Sequence, residues 1–157
     1  MAGKRKENLE PRIANRKALH DYFITAKIEC GMALVGSEVK SLRAGKAQLQ
    51  DSWASIDNGE LILHGAHIDP YEKAAIVYNH EPKRDRKLLV HKREIKKLAD
   101  QTSVKATTLI PLAIYFKGGR AKLELGVARG KQQHDKRDTI KRKEIEREVR
   151  RAMTHRQ

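Results

Sequence analysis

Histidines are the first place to look for acid–base or metal chemistry, and His64-x-x-His67 is the one close pair in the chain. On a strand, residues three apart point to opposite faces, and no cysteine or carboxylate at ligand spacing accompanies the pair, so no metal is expected there. A nuclease needs clustered carboxylates for metal ions or a histidine acting as acid and base, whereas the acids here are scattered. Gly118-Gly119 fits a hairpin turn, and no GxxxxGK[ST] loop occurs to cradle a nucleotide phosphate. The only cysteine, Cys30, can form neither an internal disulfide nor a CxxC site, and reads as a small apolar residue near a strand end. Trp53 reads as core rather than as a platform for stacking bases. The expectation is a protein that is not an enzyme and needs no cofactor.

The chemistry that remains is that of charge. Lys and Arg total 34 against 20 Asp and Glu, a net +14 at pH 7, which favours a polyanionic partner: nucleic acid or an anionic membrane. No apolar run approaches the ~20 residues of a spanning helix. The N-terminus MAGKRKENLEPR lacks the apolar stretch of a signal peptide, so a cytoplasmic protein is expected. The charge is unevenly placed: residues 1–17 hold 6 basic and 2 acidic residues, residues 129–157 hold 11 and 5, and the long middle holds 17 and 13. The middle therefore reads as an ordinary globular domain between two basic ends. At 157 residues there is room for one domain with a real core, but scarcely for two.

The elements that must position any site are mostly strands. His20–Ile28 alternates apolar and polar residues, and Cys30–Gly36 reads as a second, separate apolar strand. Trp53–His64 places Asn58-Gly59 between two β-type runs, a dipeptide that tolerates the positive φ of a tight hairpin. Leu109–Phe116 and Ala121–Ala128 form a second hairpin around Lys117-Gly-Gly-Arg120. Short helices are predicted over Ser37–Ala44, closed by Gly45, and over His91–Asp100, where Ile95, Leu98 and Ala99 make an apolar stripe. About six short strands with helices inserted at two connections suggest a mainly β, OB-like closed barrel, because closure removes exposed edges.

At Gly36-Ser-Glu-Val-Lys-Ser-Leu-Arg-Ala-Gly-Lys46 the sequence resembles the SsrA-binding protein (SmpB) family, the bacterial partners of transfer-messenger RNA. Supporting blocks follow in order: Asn15-Arg-Lys-Ala-x-His-Asp-Tyr22, Asp51-Ser52 before an aromatic, Arg86-Lys-Leu-Leu89, Tyr115-Phe-Lys117 and Gly130-Lys-Gln-Gln-His-Asp-Lys-Arg137. Departures are Ser37 where Thr is frequent, Trp53 for Tyr or Phe, Gln132 for Lys, and Ala106 for Gly; the last makes the local backbone less permissive. The resemblance implies an OB-fold barrel that grips the tRNA-like domain of transfer-messenger RNA, and a tail that enters the stalled ribosome in trans-translation. The chain then divides into a flexible basic N-terminus (1–14), the barrel (15–128) and a basic tail (129–157), expected as a monomer. The structural alternative is a ribosomal protein or assembly factor that binds ribosomal RNA alone.

RNA-facing positions implied by the resemblance are Asn15, Glu29, Leu89 and Lys122, with Glu38, Lys40, Ser41 and Arg43 near the same face. Lys122 and Arg43 can neutralise phosphates, and Asn15 can hydrogen-bond a base edge or a 2′-hydroxyl. Glu29 would repel phosphate, so it must accept a hydrogen bond from base or ribose, or hold a basic neighbour in place. Leu89 by its residue type reads as barrel core; the resemblance instead implies packing on an unstacked base. The resemblance sends the tail to the small-subunit decoding site and the mRNA path, through Gly130, Lys131, His134, Asp135, Lys136, Arg137, Lys141, Arg142, Lys143 and Met153. Gly130–Arg137 reads as a flexible basic entry, followed by a helix capped at Asp138 or Thr139. Ile145, Val149, Ala152 and Met153 share one face of that helix. So narrow a stripe buries little, so disorder when free and a helix when bound are expected.

Overall fold

The computed structural model describes residues 10–155 apart from 105 and 132, and only the backbone of residues 133–135. The expected flexible N-terminus thus lies, over residues 1–9, outside the described residues, as does the Gln132 departure.

Both glycine-bearing turns form as their composition dictates. Asn58 and Gly59 take φ of 51° and 74° between β4 (Trp53–Asp57) and β5 (Glu60–His64), and Gly118 and Gly119 take 59° and 75° between β8 (Thr107–Lys117) and β9 (Arg120–Gly130). Two successive positive φ values give the turn whose twist matches the flanking strands. The second hairpin is longer than expected, and its register slips between Pro111 and Ala113, where proline has no N–H for the ladder.

The two strands expected over His20–Gly36 are one, β2 (Tyr22–Met32), preceded by a short helix α1 (Arg16–Asp21). Glu29 and Gly31 interrupt the apolar alternation, but β9 pairs from Tyr22↔Gly130 to Gly31↔Lys122 and β7 (Arg86–Leu89) takes the far end, so backbone pairing carries the strand across. The strand order β8-β4-β5-β7-β2-β9 returns to β8, making a ring of six strands that leaves no long strand unpaired along both edges among the described residues. β1 (Ile13–Ala14) adds to β8, and β3 (Ala47–Gln48) pairs with β6 (His67–Ile68) in a separate ribbon.

Leu61, Leu63, Leu88, Leu109, Ile114, Leu123 and Leu125 form a fully buried core, each contributing about 1.5–3 kcal/mol by burial. The helix predicted over Ser37–Ala44 is α2 (Gly36–Arg43), ended by Gly45 at φ 73°. The one predicted over His91–Asp100 is α3 (Lys92–Thr102), which inserts Leu98 into the core but leaves Ala99 exposed. Ala18 of α1 seats on Ile110, Leu112 and Ala128 in a second, smaller cluster. The last helix, α4 (Gln133–Thr154), starts about a turn before the caps expected at Asp138 or Thr139, and β9 reaches Gly130, so within the expected entry Gly130 is strand and residues 133–137 are helical.

Candidate nucleic-acid interface

Antiparallel register brings Leu89, Gly31, Lys122 and Tyr115 into one row across β7, β2, β9 and β8. Gly31 pairs with Leu89 on one side and Lys122 on the other, and Lys122 pairs with Tyr115. A Cβ on Gly31 would stand 3.2 Å from that of Leu89, so the glycine is what lets the leucine approach. Leu89 is 51% exposed, which overturns its reading as core: in β7 Arg86 and Leu88 face inward while Lys87 and Leu89 face out.

Glu29 lies two residues before Gly31 and so on the same face. It accepts a hydrogen bond from the Tyr115 Oη, with Lys117 Nζ 3.6 Å away. The Tyr115 bond, aided by Lys117 and Lys122, holds the Glu29 carboxyl below its ordinary range despite some desolvation. Burial and the same bond push the Tyr115 hydroxyl up to about 12, so it remains a donor at neutral pH. Glu29 is thus committed to a tyrosine and a lysine. The Arg12 guanidinium lies 5.2 Å from the Tyr115 ring centre and adds a cation to the row, while that of Arg43 lies 5.7 Å from Phe116, the next residue on β8, whose ring packs against the core.

The other implied residues divide by burial. In α2, Lys40 and Arg43 are exposed, with Lys40 Nζ 5.2 Å from the Tyr71 ring centre. Glu38 is fully buried: Oε1 accepts from Arg84 Nε at 3.0 Å and from the Val35 N–H at 3.1 Å, and Oε2 accepts from Arg86 Nε. Burial pushes its carboxyl up, but these donors together outweigh burial and hold it below the usual range. Arg86 is fully buried too, donating to the carbonyls of Ala66 at 2.7 Å and Pro82 at 3.0 Å. Ser41 is buried beside them. Asn15 is also buried; its Oδ1 caps α1 at the Ala18 N–H (3.2 Å) and its Nδ2 donates to Leu49 O (3.2 Å) and Pro111 O (2.9 Å). Both its amide hydrogens are therefore committed inside the protein.

At the root of the tail, Gly130 pairs with Tyr22, and the Lys131 N–H donates to Asp21 O at 2.9 Å. Lys131 Nζ reaches Leu19 O and Thr139 Oγ1 and lies 5.0 Å from the Phe23 ring centre. Lys136 Nζ is 3.4 Å from Asp21, whose carboxyl is held low first by a hydrogen bond with His20 and then by Lys136. Arg137, Lys141, Arg142, Lys143 and Met153 are exposed, as are Ile145 and Val149 of the apolar stripe. The side chains of His134 and Asp135 lie outside the described residues.

His64 and His67 do not act together. His67 bonds Asp69 at 2.8 Å, while His64 sits between Asp85 (2.9 Å) and Ser55 Oγ (2.6 Å). That Ser–His–Asp chain has the connectivity of a hydrolytic triad. Ser55 Oγ, however, donates its one hydrogen to Asp57 at 3.1 Å and so is not held with that hydrogen on His64, as a nucleophile would need. Trp53 stacks on His64 with ring centres 5.2 Å apart and is 48% exposed, contrary to its reading as core. Period-two alternation marks two faces of β4 but not which one is covered. Arg12, Tyr115 and Lys117 are absent from the implied set; the block Tyr115-Phe-Lys117 signals the last two, and nothing in the sequence singles out Arg12.

Comparison with known proteins establishes the family. The family model described as SmpB protein matches residues 12–155. The SsrA-binding protein of Desulforudis audaxviator is 58% identical over 138 residues, covering 88% of this chain and 90% of that protein. That of Clostridium kluyveri is 49% identical over 156 residues, covering 99% of each. A chain in the solved structure "tmRNA-SmpB: a journey to the center of the bacterial ribosome" superimposes with a TM-score of 0.67 at 46% identity, covering 83% of this chain and 94% of that one. With a model match over nearly every described residue and relatives matched almost end to end, the chain belongs to the SmpB family of SsrA-binding proteins.

Proposed function

We infer that the chain is a non-catalytic, cytoplasmic, monomeric adaptor that binds the tRNA-like domain of transfer-messenger RNA and brings it to stalled ribosomes for trans-translation. Family membership carries this conclusion: the relatives are SsrA-binding proteins, and the matched structure is of tmRNA with SmpB at the bacterial ribosome. The closed ring of six strands supports an OB-like barrel over residues 15–128, with the basic ends 1–14 and 129–157 as separate parts. Among the described residues no helix is long and apolar enough to cross a membrane.

On the barrel, Lys122, Arg43 and Lys40 neutralise phosphates, and Leu89 packs on an unstacked base. Glu29 orients Tyr115 and Lys117 toward the same RNA. Asn15, Glu38 and Ser41 act from inside as positioning residues, which their burial supports. The tail, from Gly130 and Lys131 through His134, Asp135, Lys136 and Arg137 to Lys141, Arg142, Lys143 and Met153, occupies the decoding site and mRNA path. It is disordered when free and helical when bound. The exposed stripe of Ile145, Val149 and Met153 supports a helix that finds its packing on a partner. A truncation ending at Lys131 tests the division of labour. It should bind the tRNA-like domain as the full chain does but fail to support tagging of stalled nascent chains; normal tagging, or loss of RNA binding, refutes it.

A further inference from the structure

The geometry points to a second RNA site, away from the Leu89–Lys122 row: a pocket at the mouth between α1, β4 and β8 that takes one unstacked nucleobase, guanine fitting it best, on the face of Trp53. It rests on the RNA-binding function proposed above. The pocket has a volume of about 340 Å³ and is lined by Trp53, Lys17, Asp21, Asp51, Thr108 and Ile110 among others. That is room for a base and its ribose, at the small end of ligand sites. Trp53 is half-exposed and backed by His64, which is itself fixed between Ser55 and Asp85. A ring with a neighbouring ring stacked on it and its remaining surface open is a preorganised platform for a base.

The polar lining selects the ligand. Of the two carboxylates in the lining, Asp21 is already engaged by His20 and Lys136, whereas Asp51 takes one bond, from Lys17 at 2.9 Å, so Asp51 is the acceptor open to a ligand. A carboxylate only accepts hydrogen bonds, and it has capacity for more than the one bond from Lys17. Guanine offers N1–H and N2–H side by side on its Watson–Crick edge, two donors that a carboxylate can take together; uracil offers one. The flanking phosphates would find cations at the tail root, where Lys136 lies 3.4 Å from Asp21 of the lining and Lys131 donates to Leu19 O of α1.

The chain has one tryptophan, so emission excited at the red edge, where its four tyrosines do not absorb, reports on Trp53. Titrating the full chain with the pentanucleotide UUGUU should quench the emission saturably, with affinity about tenfold above that for UUUUU. By anisotropy of labelled UUGUU, Trp53→Phe should stay within about threefold of the parent and Trp53→Ser should lose about tenfold, with melting temperatures checking that both fold. Asp51→Asn, which suits the positive φ of 62° there, should erase most of the preference for guanine. Binding of the tRNA-like domain is measured in parallel. Absence of quenching in a chain that still binds that domain refutes the pocket and leaves the adaptor function standing. Failure of both refutes the adaptor function and the pocket with it. Equal response to UUGUU and UUUUU, or stronger quenching by an Arg-Tyr peptide, also overturns the assignment.

Discussion

Replacing Glu38 by Gln removes one negative charge from the interior and leaves Arg86, wholly enclosed, with backbone carbonyls for partners and no counter-ion. Arg84 is about one-third exposed and can turn its charge to water; Arg86 cannot. Breaking a buried pair from one side costs about 3–5 kcal/mol, mostly the penalty of the stranded charge. Against a total stability of about 5–15 kcal/mol this is a large fraction. For a domain of this size it corresponds to a fall in melting temperature of roughly 10–20 °C. Urea unfolding followed by far-UV circular dichroism measures it directly. The double variant Glu38→Gln with Arg86→Met should recover at least about 2 kcal/mol of the loss, because an apolar side chain then fills the place of the stranded charge. A single-variant cost below about 1 kcal/mol, or a double variant with no recovery, refutes the assignment of Glu38 as the buried counter-ion. The RNA readout separates positioning from contact. Held well below its melting temperature, the Gln variant should bind the tRNA-like domain within about threefold of the parent; a loss of a hundredfold in a folded protein would mean that Glu38 touches RNA.

Exposed and strained positions give four further outcomes. Lys122→Ala should weaken binding of the tRNA-like domain and lower the slope of log affinity against log salt by about 1, with stability unchanged; an unaltered slope would take Lys122 off the phosphate backbone. Leu89→Ala should cost less than about 0.5 kcal/mol in urea unfolding yet lose RNA affinity, whereas Leu88→Ala, its buried neighbour, should cost about 2–5 kcal/mol. Glu29 has its folded pKa depressed by Tyr115, so its contribution to stability is present above the unfolded carboxylate pKa and is lost as pH falls through the folded value. Tyr115→Phe should raise the Glu29 titration seen by carboxyl carbon NMR toward the ordinary range; no movement would deny the hydrogen bond. Finally, Ala106 holds φ at 65°, so Ala106→Gly should raise the urea midpoint by about 0.5–1 kcal/mol in stability at constant m, and a lowered midpoint would refute backbone strain there.

Local chemistry made several parts of this protein legible from residues alone. Asn58-Gly59 and Gly118-Gly119 specify their turns because positive φ is cheap for those side chains and dear for most others, whatever surrounds them. Gly45 closes α2, and Ala106 is strained, for the same reason. The signature block from Gly36 to Lys46 and the blocks after it identify the family without a coordinate. Where the outcome depended on partners distant in the chain, residue type misled or fell silent. β2 is continuous because β9 and β7 supply its hydrogen bonds, not because its side chains alternate. α1 is a six-residue helix too short to show a period, held by Asn15, whose amide reaches carbonyls 34 and 96 residues away. A glutamate in a helix reads as surface until Arg84 and Arg86, 46 and 48 residues on, are folded against it. Trp53 and Leu89 carry the same lesson in reverse. Alternation along a strand establishes that they share a face with particular neighbours, but which face meets water is set by how the ring of strands closes. Burial is a property of that closed surface, and no window of sequence contains it.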